Sequence, residues 1–264
     1  MSTGTTIASA VAAECWKQVR DKRTRGFLVL WIALCVLLSN SVSGRLILAS
    51  LGQILLLVWV GLAVGQEYEW GTLATVLVGG ATTRVRLFLA KASLVFLGCA
   101  VQVIVLSASD LLSKHLAQGA GRTVAPVSCD AQCLLGTLVS VASYGALGYF
   151  LSVVARSTYS ALQLGALTFL GEWLLVGILP LLRAGLSLVR PEWGDAVVRM
   201  VTFVQDLCIR TNANLLVGFT DPNLLPARTA GGWEASAAFL AVVTALALAA
   251  GLSIATRQEL TVEP

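Results

Sequence analysis

Charged side chains are scarce in this sequence, and one stretch gathers several of them beside residues that start and stop helices. It reads Glu67-Tyr68-Glu69-Trp70-Gly71-Thr72, then an apolar stretch to Val78, then Gly79-Gly80, then Thr82-Thr83-Arg84-Val85-Arg86, with Lys91 a turn and a half further on. Thr72 can cap a short helix running to Val78, and carboxylates just ahead of such a helix complement the positive end of its dipole. The glycine pair breaks that helix. Thr82 or Thr83 can then cap the next one, whose first turns carry Arg84, Arg86 and Lys91. The chemistry offered is mechanical: a short rigid helix held between two long apolar ones passes any force applied to it into both.

Other candidates for chemistry are few. Glu172 is the one acid inside the apolar run 157–182. At 1.5 Å per residue it lies about 22 Å along a helix started at Ser157, beyond the middle. A charge held in hydrocarbon costs about 2.5–3.5 kcal/mol, so Glu172 should face protein or water, or carry a proton. It is a candidate for a translocation path, or for a hydrogen bond to a serine, threonine or tryptophan of another helix. Cys129 and Cys133 are four residues apart at the expected outer end of a fourth apolar run. An oxidising exterior allows a disulfide between them, or from one of them to Cys208. A soft metal at this Cys-x-x-x-Cys spacing ranks below free or disulfide cysteines, because no histidine or methionine cluster accompanies it, so no metal is expected. Cys15, Cys35, Cys99 and Cys208 are dispersed. The single histidine, His115, reads as a loop residue, and the apolar runs hold no serine–histidine pair, which argues against an intramembrane protease. The chain also lacks the Gly-x-x-x-x-Gly-Lys-Ser/Thr loop that wraps phosphates. It is not expected to be an enzyme or to bind a cofactor itself.

The elements that must position these residues follow from composition. Of 264 residues, 57% are hydrophobic and 12% charged, and the mean hydropathy is +0.83. Soluble domains carry about twice that charge fraction, so lipid is the expected solvent. Six runs, 26–44, 46–66, 92–109, 131–155, 157–182 and 235–256, are each long enough to cross a hydrocarbon layer of roughly 30 Å as a helix. An open strand there would leave its backbone groups unpaired. The expected fold class is therefore all-α: a polytopic membrane protein with six transmembrane helices in a single domain, 1–264. Lysines and arginines in the short flanks favour both termini inside, as a multi-pass protein of the cell (inner) membrane. The net charge of +4 sits at the ends of apolar runs, which suits membrane-proximal contacts and not nucleic acid. The basic lead before the first run suits an uncleaved signal-anchor.

Residues 5–25 differ from the rest. Ala8, Val11, Ala12, Cys15, Trp16 and Val19 recur at three- and four-residue steps, with Glu14, Lys17 and Gln18 elsewhere on the wheel. This predicts an amphipathic interfacial helix, with Trp16 at headgroup level and Arg20, Lys22 and Arg23 near anionic lipid. The outer segment 184–233 is too polar to span, and its apolar stretches 196–205 and 215–219 suit short helices that dip into the bundle or cap its mouth. Residues 257–264 form a cytoplasmic tail.

The glutamate, the Gly-Thr pair, the apolar stretch, the turn with arginine and the closing lysine together resemble the ABC type-2 permeases, the six-span exporter subunits of antibiotic, lipid-linked polymer and copper/sulfur-maturation systems. The matching residues are Glu67 or Glu69, Gly71, Thr72, Arg84 and Lys91, and the elbow helix, six-span layout and enlarged outer segment extend the likeness over nearly the whole chain. The resemblance implies a pair of permease chains, identical or homologous, served by two ABC ATPase subunits that hold the ATP and magnesium. The helix near 71–78 would be the coupling helix seated in the ATPase, started by Gly71 and Thr72 and braced by Glu67 or Glu69, with Arg84 and Lys91 anchoring the third span. The largely apolar path favours a hydrophobic or amphipathic cargo. Two other readings stand beside it. An ion-coupled secondary transporter would have only Glu172 to work with, and a structural membrane subunit would move nothing.

Overall fold

The structure is a computed structural model that describes residues 6–38, 42–69, 83–119, 131–189, 194–216 and 232–257. Among these residues every regular element is an α-helix. In chain order they are α1 (Ile7–Arg20), α2 (Lys22–Leu38), α3 (Val42–Glu69), α4 (Arg84–Gly119), α5 (Ala131–Ala155), α6 (Thr158–Val189), α7 (Gly194–Asp206), α8 (Ile209–Leu216) and α9 (Gly232–Arg257). Five stretches are long and apolar enough to cross a membrane: Ile47–Glu69, Arg84–Leu112, Leu134–Ala155, Thr158–Leu179 and Gly232–Arg257.

Helix α5 is the central post, packed against α3, α4, α6, α8 and α9. The core around it joins Leu56, Val60 and Val64 of α3, Phe88 and Val95 of α4, Val141, Tyr149 and Val153 of α5, and Ala255 of α9. Where α3 and α5 cross, the backbones nearly touch: a Cβ placed on Gly148 would stand 2.6 Å from the Leu57 carbonyl oxygen. Only hydrogen fits there. The α5–α6 corner turns sharply at Arg156, held in the left-handed region at φ 53°.

Helix α2 lies antiparallel along α3. Near its start, Thr24 Oγ1 accepts a hydrogen bond from Trp59 Nε1 at 2.9 Å. Midway, Trp31 Nε1 donates to the Gln102 carbonyl of α4 at 3.3 Å, and towards its end Cys35 packs with Leu48. The first apolar run is thus divided differently from its charge spacing. Helix α3 already starts at Val42, so Arg45, the residue between the apolar runs 26–44 and 46–66, sits in its first turns. One arginine near a helix end does not interrupt backbone hydrogen bonding. Likewise His115, expected in a loop, is an exposed residue of α4, which continues to Gly119.

Helix α1 is amphipathic, but its polar side faces the protein. Glu14 and Gln18 are buried while Trp16 is 60% exposed and Val19 is exposed too. In water this arrangement would be inside out, since carboxylates seek solvent and indoles seek cover. With lipid on the outside it is the economical one. Thr6 starts the helix by accepting the Ser9 N–H at 3.2 Å.

Helices α7 and α8 form a hairpin whose tip, Leu207-Cys208, reaches into the bundle. The Leu216 backbone lies against Gly136 near the start of α5, whereas the first residue of α8 sits with Tyr144, about 12 Å further down that helix. Asn212 Nδ2 ties the tip by donating to the Asp206 and Cys208 carbonyls, each at 2.9 Å. The expected short helix 196–205 falls within α7, and 215–216 ends α8; 217–219 lie outside the described residues.

Candidate functional site

Four charges from three helices meet at one end of the bundle. Lys91 of α4 is 0% exposed, with Glu14 of α1 at 8% and Glu67 of α3 at 5%. The Lys91 ammonium donates to both Glu14 carboxylate oxygens at 3.4 Å and lies 3.3 Å from Glu67 Oε1. Lys17 of α1, half exposed, donates to the same Glu67 oxygen. Two ammonium and two carboxylate groups leave no net charge, which is what makes the burial of Lys91 tolerable. Burial and the adjacent Lys91 charge hold the Lys17 ammonium below the usual lysine range, with Glu14 and Asp21 pulling the other way.

The charge node sits on both flanks of the segment 70–82. Glu67 is two residues from the end of α3, and Lys91 is two turns into α4. Neighbouring bonds extend the same end. Glu69 caps α6 from outside, accepting the Thr158 N–H at 2.7 Å and the Ser157 hydroxyl at 3.1 Å. Thr24 Oγ1 donates to Gln18 Oε1 at 2.9 Å, so α1, α2 and α3 are tied in series through Gln18, Thr24 and Trp59. Thr83 caps α4, its Oγ1 accepting the Arg86 N–H at 3.4 Å. Arg84 opens α4 in a half-buried position.

The sequence-predicted residues divide as follows. Glu67 and Lys91 come together directly; Glu69 is turned to α6 instead. Gly71, Thr72 and the expected helix 71–78 lie outside the described residues, as does Cys129. Cys133 lies in α5, but its side chain is outside the described set. Cys208 is a free, buried thiol that donates to the Val204 carbonyl at 3.4 Å. It is at the hairpin tip, level with Tyr144 and about 16 Å along α5 from Cys133, which removes it as a disulfide partner there. At the end of α1, Arg20 stacks over Trp16 at 4.7 Å, and the Arg23 N–H donates to Asp21 at 3.0 Å. Lys22 opens α2 as an exposed residue.

Glu172 is held by the hairpin. Its Oε2 accepts the Tyr144 hydroxyl at 2.6 Å and its Oε1 accepts the Ile209 N–H at 2.9 Å, so this carboxylate of α6 caps α8. The sequence reading missed Tyr144 and Glu14 as partners. The signal for Glu14 was its place on the polar side of an amphipathic helix, α1.

The helices define a multi-pass helical membrane protein. No family model and no curated protein sequence matches the chain.

Proposed function

We propose that the chain is the permease subunit of an ABC exporter, driven through the segment 70–82 by a separate ATPase. The observation that carries this reading is the charge node. Glu67 on one side of the segment and Lys91 on the other are both ionically bound to α1, so a push on the segment reaches α3, α4 and the interfacial helix together. A loose loop would absorb such a push; one tied on both flanks transmits it. The six-crossing layout is supported by α2, which runs beside α3 from Thr24 to Cys35 and, at 17 residues, is about 26 Å long. On this reading α1 is the elbow helix, both termini are cytoplasmic in the cell membrane, and two permease chains pair around the path with two ATPases beneath.

The test is purification from the native membrane in mild detergent, followed by assay of ATP hydrolysis and of flux in vesicles. The expected result is an ABC ATPase in stoichiometric amount, with hydrolysis that falls when Thr72 is replaced by Pro. Absence of an ATPase, or unchanged hydrolysis and flux in Thr72→Pro, overturns the proposal. Flux that runs on an ion gradient without ATP would identify a secondary transporter.

A further inference from the structure

Buried polar atoms that find no partner in the protein are concentrated at one place. Among the described residues, eight buried side-chain nitrogen and oxygen atoms lack a hydrogen bond, and four of them lie within residues 205–211, the tip of the α7–α8 hairpin. They are both amide atoms of Gln205, the Thr211 hydroxyl and Nη1 of Arg210. A polar atom buried in this way has given up water and gained no bond, so these side chains oppose the docking of the tip.

Three interactions tie the tip to α6. Glu172 accepts the Ile209 N–H, its charge attracts the Arg210 guanidinium, and that guanidinium lies over the Phe169 ring at 5.1 Å. A fourth runs from Arg210 Nη2 to Ser50 Oγ of α3 and spans 3.5 Å. The root of α8 is fixed in another way. Ala213 and Leu216 pack with Leu240 of α9, and the Leu216 carbonyl abuts Gly136 of α5. The hairpin thus has an apolar pivot at its root and a polar latch at its tip.

Helix α6, which carries the latch, is loosely seated. Of an 18-residue apolar window in it, 6% is buried inside the protein, against 50% in α3 and 61% in α5. Lipid tails are as apolar as leucine, so a shift of such a helix exchanges one lipid contact for another. Its first turn, by contrast, is clamped. Glu69 accepts the Thr158 N–H at 2.7 Å, and a Cβ on Gly65 would stand 2.8 Å from Thr158 Cα. Glu172 lies about 21 Å along α6 from that clamp, and Glu69 directly precedes the segment 70–82.

We propose that residues 205–211 are a plug latched to α6 by Glu172, and that α6, moved at Thr158 by Glu69, is the rod that releases it. The inference rests on the permease reading, in which the segment 70–82 receives the push, and adds the route by which that push reaches the far half of the bundle. On release, Glu172 keeps the Tyr144 hydroxyl and loses Ile209 and Arg210, while Gln205, Arg210 and Thr211 meet water. Each state lacks bonds that the other supplies, which is the condition for a two-state element.

Cys208, buried at the tip with its thiol donating to the Val204 carbonyl, is a native reporter. The test measures its alkylation by N-ethylmaleimide in the full-length chain in neutral detergent, with the other five cysteines replaced by Ser and without ATP or partner. Labelling about tenfold or more faster is expected in Glu172→Gln, because a charged acceptor is lost; the parental rate overturns the proposal. Glu69→Ala should quicken labelling about threefold or more on its own and add nothing in the Glu172→Gln background. Distant sites act additively when nothing couples them, so an equal effect of Glu69→Ala in both backgrounds overturns the rod. A chain keeping only Cys99, 1% exposed in the core around α5, should label at its parental rate in every variant. Quickening there would mean that the whole bundle loosens, and overturns the proposal. Should Glu172→Gln fail to fold, Ile209→Pro removes the donor instead, at a first helical position that accepts proline; parental labelling of Cys208 in that variant overturns the latch. Absence of an ATPase on purification would sink only the permease reading. Parental labelling with the ATPase present would sink only this one.

Discussion

At the scale of single residues, the two charged assemblies should respond differently to the same kind of substitution. Lys91 is fully buried among carboxylates. Replacing it by Met leaves Glu14 and Glu67 sharing Lys17 alone, and an uncompensated buried charge costs about 3–5 kcal/mol. We expect Lys91→Met to lower the thermal midpoint of the detergent-solubilised protein more than the double variant Glu14→Gln with Lys91→Met does, because the double variant keeps the neutral Lys17–Glu67 pair. A double variant that melts below the single one would show that the charges do not act as a unit. At Glu172 the question is acceptors. Two donors, the Tyr144 hydroxyl and the Ile209 N–H, use two carboxylate oxygens. Glu172→Gln keeps one oxygen and presents an NH₂ to the other donor, at a cost of about 1–3 kcal/mol for the unsatisfied group. Hydrogen exchange at Ile209 should quicken accordingly, and an unchanged rate would deny that Glu172 caps α8.

Between residues and the whole molecule stand the helix contacts, and two glycines separate packing from propensity. Gly148 of α5 has the Leu57 carbonyl where its Cβ would go, and Gly171 of α6 has nothing within 4 Å of that position. Both are helical, so alanine should help each by up to about 1 kcal/mol on propensity alone. We expect Gly171→Ala to keep or raise the melting temperature and Gly148→Ala to lower it, because the obstructing atom is backbone and α3 must move away. Equal effects would mean that α3 and α5 are not in close approach. The same contrast explains what could be read from the sequence. The long apolar helices were legible because, Glu172 apart, charges fall outside the six apolar runs, and the two-sidedness of α1 was legible as a periodicity. The partner of that side was not. Lys91 looked like a cation flanking the third span, and its bond to Glu14 joins residues 77 apart in sequence; only packing brings them together. The start of α3 at Val42 was hidden by Arg45, and α4 runs past Asp110, the acid that follows the apolar run 92–109. The depth of α8 was hidden too, because an eight-residue helix of mixed polarity gains its burial from α5, α6 and α9 and not from any pattern of its own.

For the whole molecule, the contacts group the ends of the helices. Glu67 and Glu69 end α3, Thr83 opens α4, Arg156 and Ser157 join α5 to α6, and Ala255 of α9 packs in the cluster that holds Val64, Leu87 and Phe88. Helix α1 joins them through Glu14 and Lys17. This end therefore carries Lys17, Arg20, Arg84, Arg86, Arg156 and Arg257, the excess of lysine and arginine in short flanks on which the proposed cytoplasmic placement of this end rests. His115, exposed near the far end of α4, belongs to the opposite side. With the six native cysteines replaced by Ser, we expect a Cys placed at Thr75 to react with a membrane-impermeant maleimide only after cells are opened, and a Cys placed at His115 to react in intact cells. The reverse pair of results would put the charge node and the segment it clamps outside, beyond the reach of a cytoplasmic ATPase, and no force from ATP could then enter the bundle by that route. Reaction of both from outside would mean that the helices between them do not cross an odd number of times, which the single apolar passage of α4 from Arg84 to Leu112 requires.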